Sequence, residues 1–148
     1  MDGHVDRHAS VTVVRRIDWA DTDMGGICWY PAFARLVDAA ESFMFSCVGL
    51  LDAFIRLPRV ALDIAYSSPM RFNEIVDVHY RVARVGRTSY AGEFRIQRDS
   101  QVTVSGTVTS ALLDEDGRKA AWPDHWRGRL LDSGPVGREE LAYPVARR

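Results

Sequence analysis

Two carboxylates stand just ahead of what reads as a helix start, in Asp21-Thr22-Asp23-Met24-Gly25-Gly26-Ile27-Cys28-Trp29-Tyr30-Pro31. A helix start presents backbone N–H groups that have no partner inside the helix, together with the positive end of its dipole. A carboxylate held there stays ionised. A carbonyl oxygen placed there is polarised, and the negative charge that grows during acyl transfer is stabilised. A carboxylate beside such an oxyanion site is the least apparatus that hydrolyses an ester or thioester. Either acid of the pair would serve, as nucleophile or as general base toward water. Pro31 has no N–H, so the N–H of Tyr30 is the expected donor toward the substrate. The same acids also fit a plain helix cap, and spacing alone leaves both readings open.

Other chemistry has little support. His4, His8, His79 and His125 are scattered, and none pairs with a thiol or carboxylate at metal-ligand spacing. His79 falls on the polar side of a strand pattern and reads as a surface histidine. Neither a GxSxG elbow nor a glycine-rich phosphate loop is present, so no metal and no cofactor is expected. Cys28 would be an activated thiol if it faced the helix start. Cys47 falls on an apolar stripe and reads as core.

The elements that must position these residues follow from periodicity. Val11, Val13, Ile17 and Trp19 alternate with polar neighbours, which predicts a strand with those four inward. From Pro31, the residues Phe33, Leu36, Val37, Ala40, Phe43, Met44, Cys47 and Val48 recur at spacings of three and four, and Gly49 is a natural stop. That predicts a helix about 27 Å long at 1.5 Å per residue. Val60–Ser67, Val76–Val82, Tyr90–Gln97 and Val102–Leu113 read as strands, and the short links between the last three imply antiparallel neighbours. One long helix on one face of an antiparallel sheet of about five strands, an α+β fold, buries both apolar surfaces. Residues 1–10 read as a flexible leader, 11–130 as one domain, and 131–148 as a loose C-terminal tail.

Composition narrows the class. The chain has 148 residues, 47% of them hydrophobic, and a formal net charge of -1. The balanced charge argues against a nucleic-acid partner. No apolar run reaches the roughly 18 residues of a membrane span, and the polar start lacks a signal-peptide core. The expected setting is therefore cytoplasmic, with both cysteines reduced.

The stretch Arg16-Ile17-Asp18-Trp19-Ala20-Asp21-Thr22-Asp23-Met24-Gly25-Gly26-Ile27-Cys28-Trp29-Tyr30-Pro31 resembles the opening of the 4-hydroxybenzoyl-CoA thioesterase family. The Asp-x-Asp-x-x-Gly-x-x-x-Tyr signature stands here as Asp21, Asp23, Gly26 and Tyr30, followed by Arg35 and Asp38-Ala39-Ala40. The likeness is strongest over residues 16–50 and fades beyond about residue 113. Met24 and Gly25 depart from the Pro and Ala common in aromatic-acyl members. The resemblance implies a hotdog fold, a curved antiparallel sheet wrapped round one long helix. It implies hydrolysis of an acyl-CoA, with Asp23 as the catalytic carboxylate, the Tyr30 N–H on the carbonyl and Asp21 as a turn-former. It also implies a homodimer or homotetramer with the site at the subunit boundary, and a CoA nucleotide held by Arg87 and, second, Arg84. Trp29 and Phe33 are expected to line a pocket suited to an aromatic, benzoyl-like acyl group. A thioesterase for carrier-protein-bound acyl groups, a hotdog dehydratase or hydratase, and a non-catalytic acyl-CoA binding protein are the alternatives. The second of these usually needs a site histidine, which the motif lacks.

Overall fold

The alternation at Val76, Val78, Tyr80 and Val82 becomes the buried face of a strand, because successive side chains of an extended backbone point to opposite sides. The computed structural model describes residues 6–142; expectations for 1–5 and 143–148 lie outside the described residues. In chain order come β1 (Ser10–Arg16), a 3-10 turn (Trp19–Asp21), α1 (Tyr30–Cys47), the short α2 (Leu51–Phe54), β2 (Arg59–Tyr66), β3 (Ile75–Val85), β4 (Ser89–Arg98), β5 (Gln101–Ala111), α3 (Asp124–Leu131) and β6 (Pro135–Glu139). They build one six-stranded sheet in the order β2-β5-β4-β3-β1-β6. Neighbours are antiparallel except β1 and β6, which run parallel. This is the α+β hotdog arrangement, with six strands where about five were expected.

The predicted stripe fixes how α1 lies. Ala32, Phe33, Leu36, Val37, Ala40, Met44 and Phe45 are buried along it and pack with the inner residues of β1, β3, β4 and β5. Removing one such side chain, as in Leu36→Ala, costs about 2–5 kcal/mol. Gly49 stands at φ +73, a left-handed conformation that suits glycine and ends the helix as expected.

Three expectations are corrected. Trp19 is 74% exposed rather than core, because the Asp18 N–H donates to Asp21 Oδ2 at 2.8 Å and bends the chain out of the strand. Cys47 is exposed at the end of α1, against Gly137 of β6. The described parts of both chain ends are docked. Ala9 is fully buried; its N–H donates to the Leu130 carbonyl at 2.8 Å and its carbonyl accepts from the Val82 N–H at 2.9 Å. Within the segment read as tail, β6 pairs with β1.

The other border of the sheet differs. Among the described residues β2 pairs only with β5, and it leaves Val60 (65%), Leu62 (50%) and Tyr66 (54%) open to solvent. An edge strand of this kind carries unpaired backbone groups and exposed apolar side chains, a template for pairing with another chain.

Candidate active site

The turn between β1 and α1 divides its two acids between different tasks. Asp21 is buried. Its Oδ2 accepts from the Asp18 N–H at 2.8 Å, and Arg35 reaches both its oxygens, at 3.1 and 2.6 Å. Its carbonyl accepts from the Trp29 N–H at 2.9 Å, which sets the chain's entry into α1. Asp23 is exposed and shapes the loop through one oxygen only. Oδ1 accepts from the N–H groups of Gly25 at 2.8 Å and Ile27 at 3.2 Å. The Asp23 N–H donates to the Ile27 carbonyl at 2.9 Å, and its own carbonyl accepts from the Gly26 N–H at 3.0 Å. Among the described residues, Oδ2 of Asp23 has no partner, so half of the carboxylate remains free for chemistry.

Beside this turn lies an open groove of about 490 Å³, lined by Ile27, Cys28, Tyr30, Phe33, Tyr66 and the segment Ser67–Pro69. Its volume falls in the range of small-molecule sites. Phe33 is largely buried yet forms part of the wall, where its ring meets that of Tyr66 at 5.1 Å between centroids. The Tyr30 ring is exposed at the rim. No hydrogen-bond acceptor for the Tyr30 N–H is present among the described residues. Asp23 itself is not among the lining residues; it adjoins the groove through its paired bonds to Ile27.

Other expected residues fall elsewhere. Trp29 caps α1 and stands half-exposed outside the groove wall. Arg84 and Arg87 flank the turn between β3 and β4, with Arg84 bonded to Ser89 Oγ at 3.2 Å. The Asp23 turn sits at the opposite end of β3, where Ile27 bridges Arg71 and Arg16 pairs with Ile75. β3 has 11 residues, so its ends are about 33 Å apart at the usual strand rise. Within one chain the arginines and the helix start do not converge. Cys28 does line the groove, but burial, with the Asp21 charge second, pushes its thiol up to about 11, so it is no activated nucleophile. Among the described residues no cluster of three His, Cys, Asp or Glu side chains could hold a metal.

Two features escaped the sequence. Tyr66, at the end of β2, forms a groove wall, signalled only by an aromatic residue closing a strand. Glu41 is fully buried on the apolar face of α1. Arg59 of β2 donates to it at 2.6 Å and also pairs with Asp38; Tyr80 donates to its other oxygen and meets the Tyr90 hydroxyl at 2.5 Å. Gly92 makes the room, since a Cβ there would lie 1.9 Å from the Tyr80 hydroxyl. Burial raises the Glu41 carboxyl above its ordinary range against the opposing pull of Arg59.

Comparison with known proteins agrees with this architecture. The family model described as the thioesterase superfamily matches residues 25–105, beginning just after Asp23. The 4-hydroxybenzoyl-CoA thioesterase of Pseudomonas sp. (strain CBS-3) is 23% identical over 131 residues, covering 83% of this chain and 91% of that protein. The crystal structure of a 1,4-dihydroxy-2-naphthoyl-CoA thioesterase from Synechocystis superposes with a TM-score of 0.74 at 19% identity, over 82% of this chain and 95% of that one. A thioesterase from Thermus thermophilus, solved in complex with coenzyme A and Zn, gives 0.71 at 22% identity, over 79% and 90%. Since the family match spans more than half of its 148 residues, this chain belongs to the thioesterase superfamily and is a thioester hydrolase.

Proposed function

We propose that this enzyme hydrolyses an aromatic, benzoyl-like acyl-CoA to the free acid and CoA at the groove beside the start of α1. The observation that carries this reading is the pairing of a half-free carboxylate, Asp23, with an unpartnered helix-start N–H, Tyr30, on one short turn. The thioester carbonyl oxygen accepts from the Tyr30 N–H. Asp23 Oδ2 either attacks the carbonyl carbon or takes a proton from the water that does. The C–S bond breaks: on the base route the coenzyme leaves as a thiol carrying that proton, and on the attack route it leaves as a thiolate that takes its proton from solvent water. If Asp23 attacks, water then hydrolyses the mixed anhydride. The Phe33–Tyr66 ring pair favours a flat acyl group. The relatives named for 4-hydroxybenzoyl-CoA and 1,4-dihydroxy-2-naphthoyl-CoA point to the same substrate class.

A second copy completes the site in this proposal. Two β2 edges pairing antiparallel about a two-fold axis would cover Val60, Leu62 and Tyr66. Such pairing carries the partner's β3–β4 turn to the end where this chain's groove opens. Arg87, then Arg84, of one subunit would hold the nucleotide phosphates of an ester bound in the other's groove.

The test is a panel of benzoyl, hydroxybenzoyl, phenylacetyl and aliphatic CoA esters, followed by release of free thiol. Aromatic esters are expected to turn over fastest. Asp23→Ala and Asp23→Asn are each expected to lower kcat by at least about a hundredfold with the fold intact. Near-normal kcat in both variants removes Asp23 from the chemistry. Turnover confined to carrier-protein-bound acyl groups would change the carrier.

A further inference from the structure

Ser68 carries the side-chain oxygen that is buried without a hydrogen-bond partner among the described residues, and it lines the groove. An unsatisfied buried hydroxyl is destabilising, and such a group in a functional cleft is a candidate for use in the bound state. Its place in the backbone is specific. Ile27 bridges Arg71 in the antiparallel sense, and the Cys28 N–H donates to the Met70 carbonyl at 2.7 Å. The two segments therefore run past each other with 27 beside 71 and 28 beside 70, and the chain goes from these pairs to Tyr30 on one side and to Ser68 on the other. Both Tyr30, whose N–H is free, and Ser68, whose hydroxyl is orphaned, line the same groove. Rotation about the serine Cα–Cβ bond alone moves its oxygen among the staggered positions open to it.

We propose that Ser68 is a catalytic residue of this site, its hydroxyl turning into the groove to donate a second hydrogen bond to the thioester carbonyl oxygen beside the Tyr30 N–H. The proposal rests on the thioesterase reading above and adds a residue to it. Charge on that oxygen is largest in the tetrahedral transition state, so the bond acts on kcat more than on KM.

The prediction separates catalysis from packing. Ser68→Ala removes an unpaired polar atom, so its melting temperature is expected to equal or exceed that of the wild type. Its kcat on benzoyl-CoA is expected to fall tenfold or more, with KM within about a factor of three. Ser68→Thr, which keeps the hydroxyl, is expected to recover most of the rate. In the Asp23→Asn background, bound benzoyl-CoA should show a carbonyl infrared stretch lowered from its position in water, and adding Ser68→Ala should return part of that shift. An unchanged kcat in Ser68→Ala, or an unchanged stretch, overturns the proposal while leaving the thioesterase reading in place. A kcat that falls only in step with the melting temperature overturns it too. Absence of both binding and turnover for every ester in the wild type removes the parent reading and this one together.

Discussion

Asp21 and Asp23 are two residues apart and identical in chemistry, yet their surroundings separate them. Asp21 spends both oxygens on Arg35 and the Asp18 N–H, while Asp23 keeps one free. Asp21→Ala is therefore expected to lower stability by about 2 kcal/mol, discounted for the half-exposed Arg35, in chemical denaturation. Asp23→Ala is expected to affect turnover far more than stability, and equal stability losses in the two variants would contradict that division. Cys28 gives a further check. With its thiol pushed up to about 11, roughly one molecule in a thousand carries the thiolate at pH 8. In a Cys47→Ser background, iodoacetamide should therefore label Cys28 far more slowly than a free thiol, as read by mass spectrometry. Labelling at the free-thiol rate would show a different environment. At this scale the sequence conveyed the turn well, since Asp, Gly and Pro act through local backbone rules. It conveyed the groove poorly: Tyr66 and Ser68 lie far along the chain from Tyr30 and meet it only through tertiary folding.

The elements are held in register by more than apolar burial. Glu41 of α1 is gripped by Arg59 of β2 and Tyr80 of β3, so one buried carboxyl ties the helix to two strands of the sheet. Tyr80→Phe is expected to cost about 1–3 kcal/mol, because Glu41 loses a donor that no water replaces. The network also predicts a pH dependence. Burial raises the folded-state pKa of Glu41 above its ordinary value. Its contribution is then complete below the ordinary glutamate range and is lost as pH rises through the folded value. Measured against Glu41→Gln, the wild type should gain stability as pH falls from neutral into the carboxylate range, in paired denaturation curves. A pH-independent difference would mean that Arg59 and the two tyrosines compensate the burial in full. Periodicity made α1 and β3–β5 legible, because each buries one continuous face. It missed β6, a five-residue strand without alternation, and it missed Glu41, because a charged residue on an apolar stripe reads as an interruption rather than a buried partner.

At the scale of the whole molecule, the arrangement that needs explaining is the distance between the helix start and the arginines. One subunit separates them by the length of β3, about 33 Å. In the proposed two-fold dimer, the partner's β2, β5 and β4 follow this chain's β2 at successive strand spacings. The partner's β3–β4 turn then lies about 15 Å to the side, at the same end as the groove. Placing a charge in the joint, as in Leu62→Glu, should yield monomers in sedimentation and lose activity with them, while the folded core remains. A sharper experiment uses complementation. Asp23→Asn homodimers lack the carboxylate in both sites, and Arg87→Ala homodimers lack the phosphate contact in both. A heterodimer of the two would join the intact Asp23 of one subunit to the intact Arg87 of the other in one of its two sites. Random exchange at equal concentrations makes half of the dimers mixed, so kcat/KM should recover to about a quarter of the wild-type value. If Asp23 and Arg87 serve the same ester from within a single subunit, every site in the mixture keeps one defect, and exchange restores nothing beyond the sum of the two parents.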